Sequence, residues 1–416
     1  MNNWKQTTLG EVAEITSSKR IFAEEYLTEG IPFYRGKEII EKYNGNEVST
    51  ELFISQEKYN EIREKFGVPQ AGELLLTSVG TLGVPYLVNE REEFYFKDGN
   101  ITWFKNFRNI ENIFLYYWIA SDLGKEQLAK HTIGSTQQAL TIAGLKSIPI
   151  LLPLPPEQKA IAAILSSFDD KIELLRRQNK TLESIAQTTF KEWFINFEVN
   201  GKKLKINSKT NLPEGWRIGS LPDVIEVNPV RKLKKGELAP YLDMRGVSTQ
   251  GHRAEGWYYR EFSSGSKFAN GDTLLARITP CLENGKTAFV DFMKDMQIGW
   301  GSTEFIVLHP KMPFPSYYGY LLARSDTFRN FAIGQMTGTS GRQRVPDNSL
   351  SNYDIAIPPD DIVVRFGELI IPFVQRLTLN SEEIQTLSKF RDALLPKLMR
   401  GEIRIKDIQK HSKVTI

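Results

Sequence analysis

A chain of 416 residues, 41% of them hydrophobic, is long enough to bury two cores of ordinary domain size. Its formal charge of +3 is too small to mark a nucleic-acid partner by itself, and its single cysteine, Cys281, excludes an internal disulfide and any zinc site built on several cysteines. No stretch nears the roughly 20 apolar residues of a membrane span, and Met1-Asn2-Asn3-Trp4-Lys5 does not read as a secretion leader, so a soluble, non-secreted protein of the reducing cytoplasm is expected.

Taken in chain order, Trp4 and Leu9-Gly10-Glu11-Val12 open a first unit. Phe33-Tyr34-Arg35-Gly36 follows, and Gln56 to Lys65 reads as a helix. The short apolar or aromatic runs Glu73 to Thr77, Tyr86 to Val88, Phe94 to Phe96 and Ile101 to Phe104 are bounded by Gly, Asn and Asp, which predicts strands. A helix is expected over Asn112 to Ala120. Pro153, Pro155 and Pro156 then stop an extended segment where a long helix begins, since proline is tolerated in a first turn but not inside a helix.

The same sentence is then spoken again. Trp216 and Leu221-Pro222-Asp223-Val224 match the opening at a spacing of 212, Asp243-Met244-Arg245-Gly246 matches Phe33-Tyr34-Arg35-Gly36 at 210, and Gly271-Asp272-Thr273-Leu274-Leu275 matches Gly72-Glu73-Leu74-Leu75-Leu76 at 199. Strands are expected over Asp272 to Ile278, Thr287 to Phe292 and Glu304 to Leu308, and a helix over Pro315 to Ala323. Gln138, Leu140, Leu145, Ile150, Leu152 and Pro153 recur as Gln343, Val345, Leu350, Ile355, Ile357 and Pro358, every pair 205 apart. Basic residues gather at Arg176-Arg177, Lys202-Lys203-Lys205, Arg231-Lys232-Lys234-Lys235 and Arg342/Arg344, each of which taken singly reads as a solvated face.

Each copy ends in a heptad seam. The first holds Ile161, Leu165, Phe168, Ile172, Leu175, Asn179, Leu182, Ala186, Thr189 and Trp193, and the second Phe366, Ile370, Phe373, Leu377, Asn380, Ile384, Leu387, Arg391, Leu394 and Leu398. Pro372 predicts a kink or restart in the second helix. Antiparallel pairing sets Ile161 against Leu398, Asn179 against Asn380 and Ala186 against Phe373. Parallel pairing would strand two amides, at roughly 1 to 3 kcal/mol each. The expectation is therefore an α+β protein: two repeated domains separated by a long antiparallel two-helix coiled coil roughly 50 Å long at about 1.5 Å per residue. The alternative is an amphipathic stripe packed on each helix's own domain. The expected boundaries are 1–155 and 198–358 for the domains, 156–197 and 359–405 for the helices, and 406–416 for a tail.

Enzymatic signals are missing. There is no glycine-rich phosphate loop and no Gly-x-Ser-x-Gly elbow. Asp/Glu-x-Lys occurs only as Glu157-Gln158-Lys159 and Asp169-Asp170-Lys171, both on the first long helix and neither preceded by the Pro-Asp of a nuclease pattern. The adenine-methyltransferase pattern around Pro-Pro is unmet, and His131, His252, His309 and His411 are scattered, so no catalytic residue, metal or cofactor is assigned. Polar loop residues remain. Tyr34, Arg35, Lys97, Asn100, Ser135, Thr136, Gln137 and Gln138 in the first copy, and Arg245, Arg277, Thr279, Ser340, Arg342, Gln343 and Arg344 in the second, are the candidates for touching DNA. Arg is bidentate to guanine and Gln to adenine, while Ser and Thr hold phosphates. Their divergence between copies on a shared frame fits two domains that read different half-sites.

The chain resembles the specificity subunit of Type I restriction-modification systems. The resemblance rests on the duplication, on Leu152-Pro153-Leu154-Pro155-Pro156-Glu157-Gln158-Lys159-Ala160-Ile161 opening the central helix, on Leu9-Gly10-Glu11-Val12 and Trp216, and on Leu394-Leu395-Pro396-Lys397-Leu398-Met399-Arg400-Gly401-Glu402-Ile403. In the second copy Pro358-Pro359-Asp360-Asp361 lacks the Glu-Gln. The resemblance implies a non-catalytic subunit with two target-recognition domains that binds double-stranded DNA at a bipartite gapped site and no membrane. It also implies assembly with two methyltransferase (modification) subunits and two restriction subunits, to which S-adenosylmethionine and ATP would belong. The competing readings are a remnant or fused Type II-like restriction-modification enzyme, which would cleave or methylate by itself, and a coiled-coil scaffold indifferent to DNA.

Overall fold

The structure, a computed structural model, describes residues 4–46, 48–90, 92–134, 138–339 and 341–404; the expected tail 406–416 lies outside the described residues. The chain forms two compact units, Met1–Glu173 with Thr386–Ile416 and Leu174–Gln385, so the division falls inside both long helices.

In the first unit the repeat's opening motif has a clear local cause. Glu11 accepts a hydrogen bond from the Thr8 amide at 3.0 Å, capping the one-turn helix Leu9–Val12, and Leu9 donates to the Ile148 carbonyl at 3.0 Å. That seats Lys5–Thr8 antiparallel to Pro149–Leu152. An antiparallel sheet orders Glu14–Thr16, Ile101–Lys105, Leu74–Thr77 and Pro85–Leu87. A smaller sheet centres on Ile31–Tyr34, which pairs in parallel with Tyr95–Phe96. Helix Gln56–Lys65 covers that smaller sheet, burying Phe33 and Tyr95 completely with Tyr59 and Ile62. The main core joins Leu74, Phe104, Phe114 and Trp118 to Ile161 and Leu165 of the first long helix and Leu398 of the second.

The second unit repeats this order with its own parts. Asp223 accepts from the Ser220 amide at 2.8 Å, Leu221 donates to the Tyr353 carbonyl at 3.0 Å, and Arg217–Ser220 pairs with Asp354–Ile357. Its main sheet orders Ile225–Val227, Phe305–Pro310, Thr273–Ala276 and Thr287–Phe289. Its second sheet orders Tyr258–Glu261, Leu238–Leu242, Gly299–Gly301 and Ser266–Phe268, again with one parallel pair, Tyr241 to Trp300 and Leu242 to Gly301. Phe33 and Tyr34 align with Tyr241 and Leu242, and the helix cap Arg35 with Asp243, at a spacing of 208, so the sequence alignment at 210 is two residues out; the parallel partner strands align at 205.

The predicted helices over 56–65 and 112–120 stand at Gln56–Lys65 and Asn112–Ala120, and that over 315–323 at Tyr317–Arg324. Missed, besides Gly36–Tyr43 and Ile142–Ser147, were Asp122–Lys130 and Asp326–Gly334, each capped by a serine hydroxyl, Ser121 or Ser325, accepting an amide of the first turn. The first long helix spans Pro155–Phe190 and ends in a π-helical turn, Lys191–Ile195. The second runs Asp360–Met399 without interruption, so the restart expected at Pro372 does not occur.

None of the heptad positions on either helix is exposed. In the second unit Asn380, fully buried, donates to the Asn179 carbonyl oxygen at 2.9 Å, and Asn179 donates to the Ser381 hydroxyl at 3.2 Å. In the first unit Arg391 binds Asp169 at 2.6 Å. The helices also enter the domain cores: Phe190, Trp193 and Phe194 pack on Phe366 and Tyr318, and Thr378 donates to the buried Asp291 at 2.7 Å. The seam and the amphipathic stripe thus coexist. Asn179→Leu should strand the Asn380 amide and lower unfolding free energy by about 1 to 3 kcal/mol. Adding Asn380→Leu should return most of that loss in thermal or denaturant melts, whereas additive losses would contradict the pairing.

Candidate nucleic-acid interface

In the second unit, three chain segments are tied into one rim by their backbones. Arg277, just past strand Thr273–Ala276, donates its amide to the Glu304 carbonyl at 3.0 Å and accepts from the Val345 amide at 2.9 Å, while Thr279 donates to the Gln343 carbonyl at 3.0 Å. Ile278 bridges Arg344. Side chains then fix the cations. Arg277 binds Asp347 at 2.6 Å, and Arg344 places its Nε 2.9 and 3.0 Å from the two oxygens of Glu304, a fork held above the ordinary arginine range by that bond. Thr279 bonds Glu283 at 3.2 Å, and Arg342 is exposed.

Neighbouring loops are bolted to this rim from behind. The Arg324 guanidinium donates to the carbonyls of Thr249 at 2.6 Å, Gly251 at 2.7 Å and Gly285 at 2.9 Å, with Tyr320 at its Nε. Lys286 donates to the Met244 carbonyl at 2.8 Å, next to the exposed Arg245. Arg324, Glu304 and Asp347 were not singled out from sequence, because their partners lie tens of residues away and no local pattern marks them.

The first unit builds the same rim from different residues. Ser78 donates to the Asn100 carbonyl at 2.8 Å, accepts from Leu140 at 2.9 Å, and Val79 bridges Ala139. These are the positions of Arg277, Glu304, Val345, Ile278 and Arg344. Here Ser78 is buried and shares a hydroxyl hydrogen bond with Thr102 at 2.6 Å, so one backbone frame carries arginines in one unit and the small side chains of Ser78 and Ala139 in the other. Gln138 is exposed beside it; Ser135, Thr136, Gln137 and, in the second unit, Ser340 lie outside the described residues.

The remaining candidates divide. Lys97 is half-buried, bound to the Tyr34 carbonyl through its backbone at 2.8 Å. Arg35 caps helix Gly36–Tyr43 and pairs with the fully buried Glu38 at 2.9 Å, a structural task. Tyr34 is a core residue, contrary to its assignment as a DNA contact: its ring stacks on Phe94 at 4.4 Å, and burial pushes its hydroxyl up to about 12. The family-motif residue Gln158 is also buried, bonded to the Glu111 amide at 2.9 Å and to the carbonyls of Pro153 and Asn109 at 2.9 and 3.1 Å. Its counterpart 205 positions on is the buried Val363, so the motif's departure in the second copy exchanges a polar bolt for an apolar one. Among the described residues no acid, His or Cys cluster suits a metal, and no helix is long and apolar enough to cross a membrane.

Comparison with known proteins fits this architecture. The family model for the type I restriction modification DNA specificity domain matches residues 1–184. The chain is 28% identical over 366 residues to the type I restriction enzyme MjaIX specificity subunit of Methanocaldococcus jannaschii, covering 81% of this chain and 79% of that one. It is 35% identical over 172 residues to the EcoAI specificity subunit of Escherichia coli, across 38% of this chain and 28% of that one. In fold it is similar to the crystal structure of a type I restriction-modification S subunit from M. genitalium, with a TM-score of 0.60 at 17% identity over 96% and 97% of the two chains. By sequence the chain is thus similar to the specificity subunits of type I restriction-modification systems.

If the rim reads bases, Arg344→Ala should relax preference at a single base position by about 1 to 3 kcal/mol. Tyr34→Phe, which alters only a core hydroxyl, should leave duplex affinity within about twofold in a fluorescence-anisotropy titration.

Proposed function

We propose that this chain is the sequence-recognition subunit of a type I restriction-modification complex acting in the cytoplasm, in which each unit reads one half of a bipartite, gapped DNA site. The observation that carries the reading is the pair of rims: the same backbone hydrogen bonds recur 199 to 205 residues apart, yet Arg277, Glu304 and Arg344 of one stand where the other has Ser78, Asn100 and Ala139. A shared frame with exchanged polar groups is what two readers of unlike half-sites require. The ion pairs on Arg277 and Arg344 hold these forks in one orientation before any partner arrives, which favours discrimination over raw attraction.

The two long helices set the unread gap and offer the surface on which two methyltransferase subunits dock, with two restriction subunits completing the assembly. Methyl donor and ATP chemistry reside in those partners. Selection from random-sequence duplexes by the chain assembled with its methyltransferase should enrich two short motifs at a fixed separation. A single contiguous motif, or none, would overturn the proposal.

A further inference from the structure

The second unit caps with an arginine, and not with a helix, a sheet face that the first unit covers with one, and Trp300 beneath it is buried. Parallel pairs place Tyr241 and Trp300 where the first unit has Phe33 and Tyr95. Those two lie buried under helix Gln56–Lys65, but no helix lies over Tyr241 and Trp300 among the described residues. Instead the exposed Arg260 lays its guanidinium over Tyr241 at 4.8 Å and over Trp300 at 5.5 Å, and Tyr258, 47% exposed, packs edge-on to Tyr241 at 5.4 Å. Phe262 meets Trp300 at 5.4 Å, with Lys267 above its ring at 4.9 Å.

The face is continuous with the rim at one end and with a lysine turn at the other. Past Leu242 the chain continues to Arg245, and past Gly301 to Glu304, the partner of Arg344. At the far end the turn before Leu238 carries exposed Lys232, Lys234 and Lys235, and Gly236 of that turn donates to the Phe262 carbonyl at 2.8 Å. Acids offset it only in part. Arg260, Lys232 and Lys235 have no ion-pair partner among the described residues, one exposed acid, Glu237, shares the turn and accepts the Lys234 amide at 3.1 Å, and Glu261 alternates to the opposite face from Arg260. These cations therefore differ from Arg277 and Arg344, whose charge is already matched by carboxylates.

We infer that this outer face of the second unit is a phosphate track, holding the sugar–phosphate backbone of duplex DNA that flanks the half-site. Strand Leu238–Leu242, at about 3.4 Å per residue, gives a path of roughly 17 Å, or about five base pairs beyond the bases read at the rim. The aromatic platform fixes the Arg260 fork while leaving its N–H groups free for phosphate oxygens, and no base contact is involved. The inference rests on the proposed function but is tested separately from it.

The test uses the full chain with Lys232→Ser, Lys234→Ser, Lys235→Ser and Arg260→Gln, titrated against a random-sequence duplex of about 40 base pairs between about 50 and 200 mM salt. Each lost phosphate contact removes about 0.9 from the slope of log affinity against log salt, so the four changes should lower the slope by about 3.6 and low-salt affinity at least tenfold. The three lysine changes alone, at exposed positions that carry no packing, should lower it by about 2.7. An unchanged slope overturns the inference, as does normal DNA binding combined with loss of methyltransferase assembly by gel filtration, which would make the face a protein dock. A wild-type chain that selects no gapped motif, while the variant still shows the reduced slope, defeats the proposed function and leaves the track standing. Failure of the wild type to bind any duplex defeats both.

Discussion

A buried amide pair governs the arrangement of the long helices. Asn179, half-buried, and Asn380, fully buried, each interrupt the apolar middle of a seam, and a buried amide without a partner costs more than its net hydrogen bond returns. Only an antiparallel register brings the two together, and Asn380 donates to Asn179 at 2.9 Å. The first unit has its own polar fastening, Arg391 on Asp169, with Tyr117 donating to the other oxygen of that carboxylate at 2.5 Å. Burial opposes the charge on Arg391, yet its bond to Asp169 holds the guanidinium above its usual range, and burial followed by Asp169 holds the Tyr117 hydroxyl up. An arginine at a seam position is thereby kept charged and in register.

On that base the duplication works as one scaffold with two sets of fittings. Caps, edge strands and rim hydrogen bonds repeat, while the groups they carry change: Gln158 against Val363, Ser78 against Arg277, a covering helix against an arginine-capped aromatic sheet. At the rim such exchanges cost little because the backbone there is already satisfied by backbone, whereas Gln158 itself serves the backbone of Asn109, Glu111 and Pro153. Divergence of recognition can then proceed without disturbing the cores on which each unit depends.

Much of this was legible in the sequence, for reasons that separate local from distant effects. Heptad spacing acts within a few residues, and the long helices and their amide pairing followed from it; the acids Glu11 and Asp223 marked the repeat, but their capping role and the edge strands beside them went unread. Capping serines before polar helices gave too weak a period, so Asp122–Lys130 and Asp326–Gly334 escaped notice. Pro372 sits in a helix that continues through it, where tertiary packing of Phe366, Ile370 and Leu377 outweighs the missing amide. The site was harder. Tyr34 looked like a loop aromatic because its stacking partner, Phe94, is 60 residues away, and the carboxylates that fix Arg277 and Arg344 are 70 and 40 residues away.

The register of the helices is open to direct chemical test. With Cys281→Ser removing the native thiol, Asn179→Cys and Asn380→Cys should close an intramolecular disulfide under mild oxidation, read as a mobility shift of the unreduced monomer and a loss of two mass units. The pair Asn179→Cys and Ile384→Cys, opposite one another only if the helices ran parallel, should stay reduced. Cross-linking of the second pair in preference to the first would contradict the antiparallel seam and the account built on it.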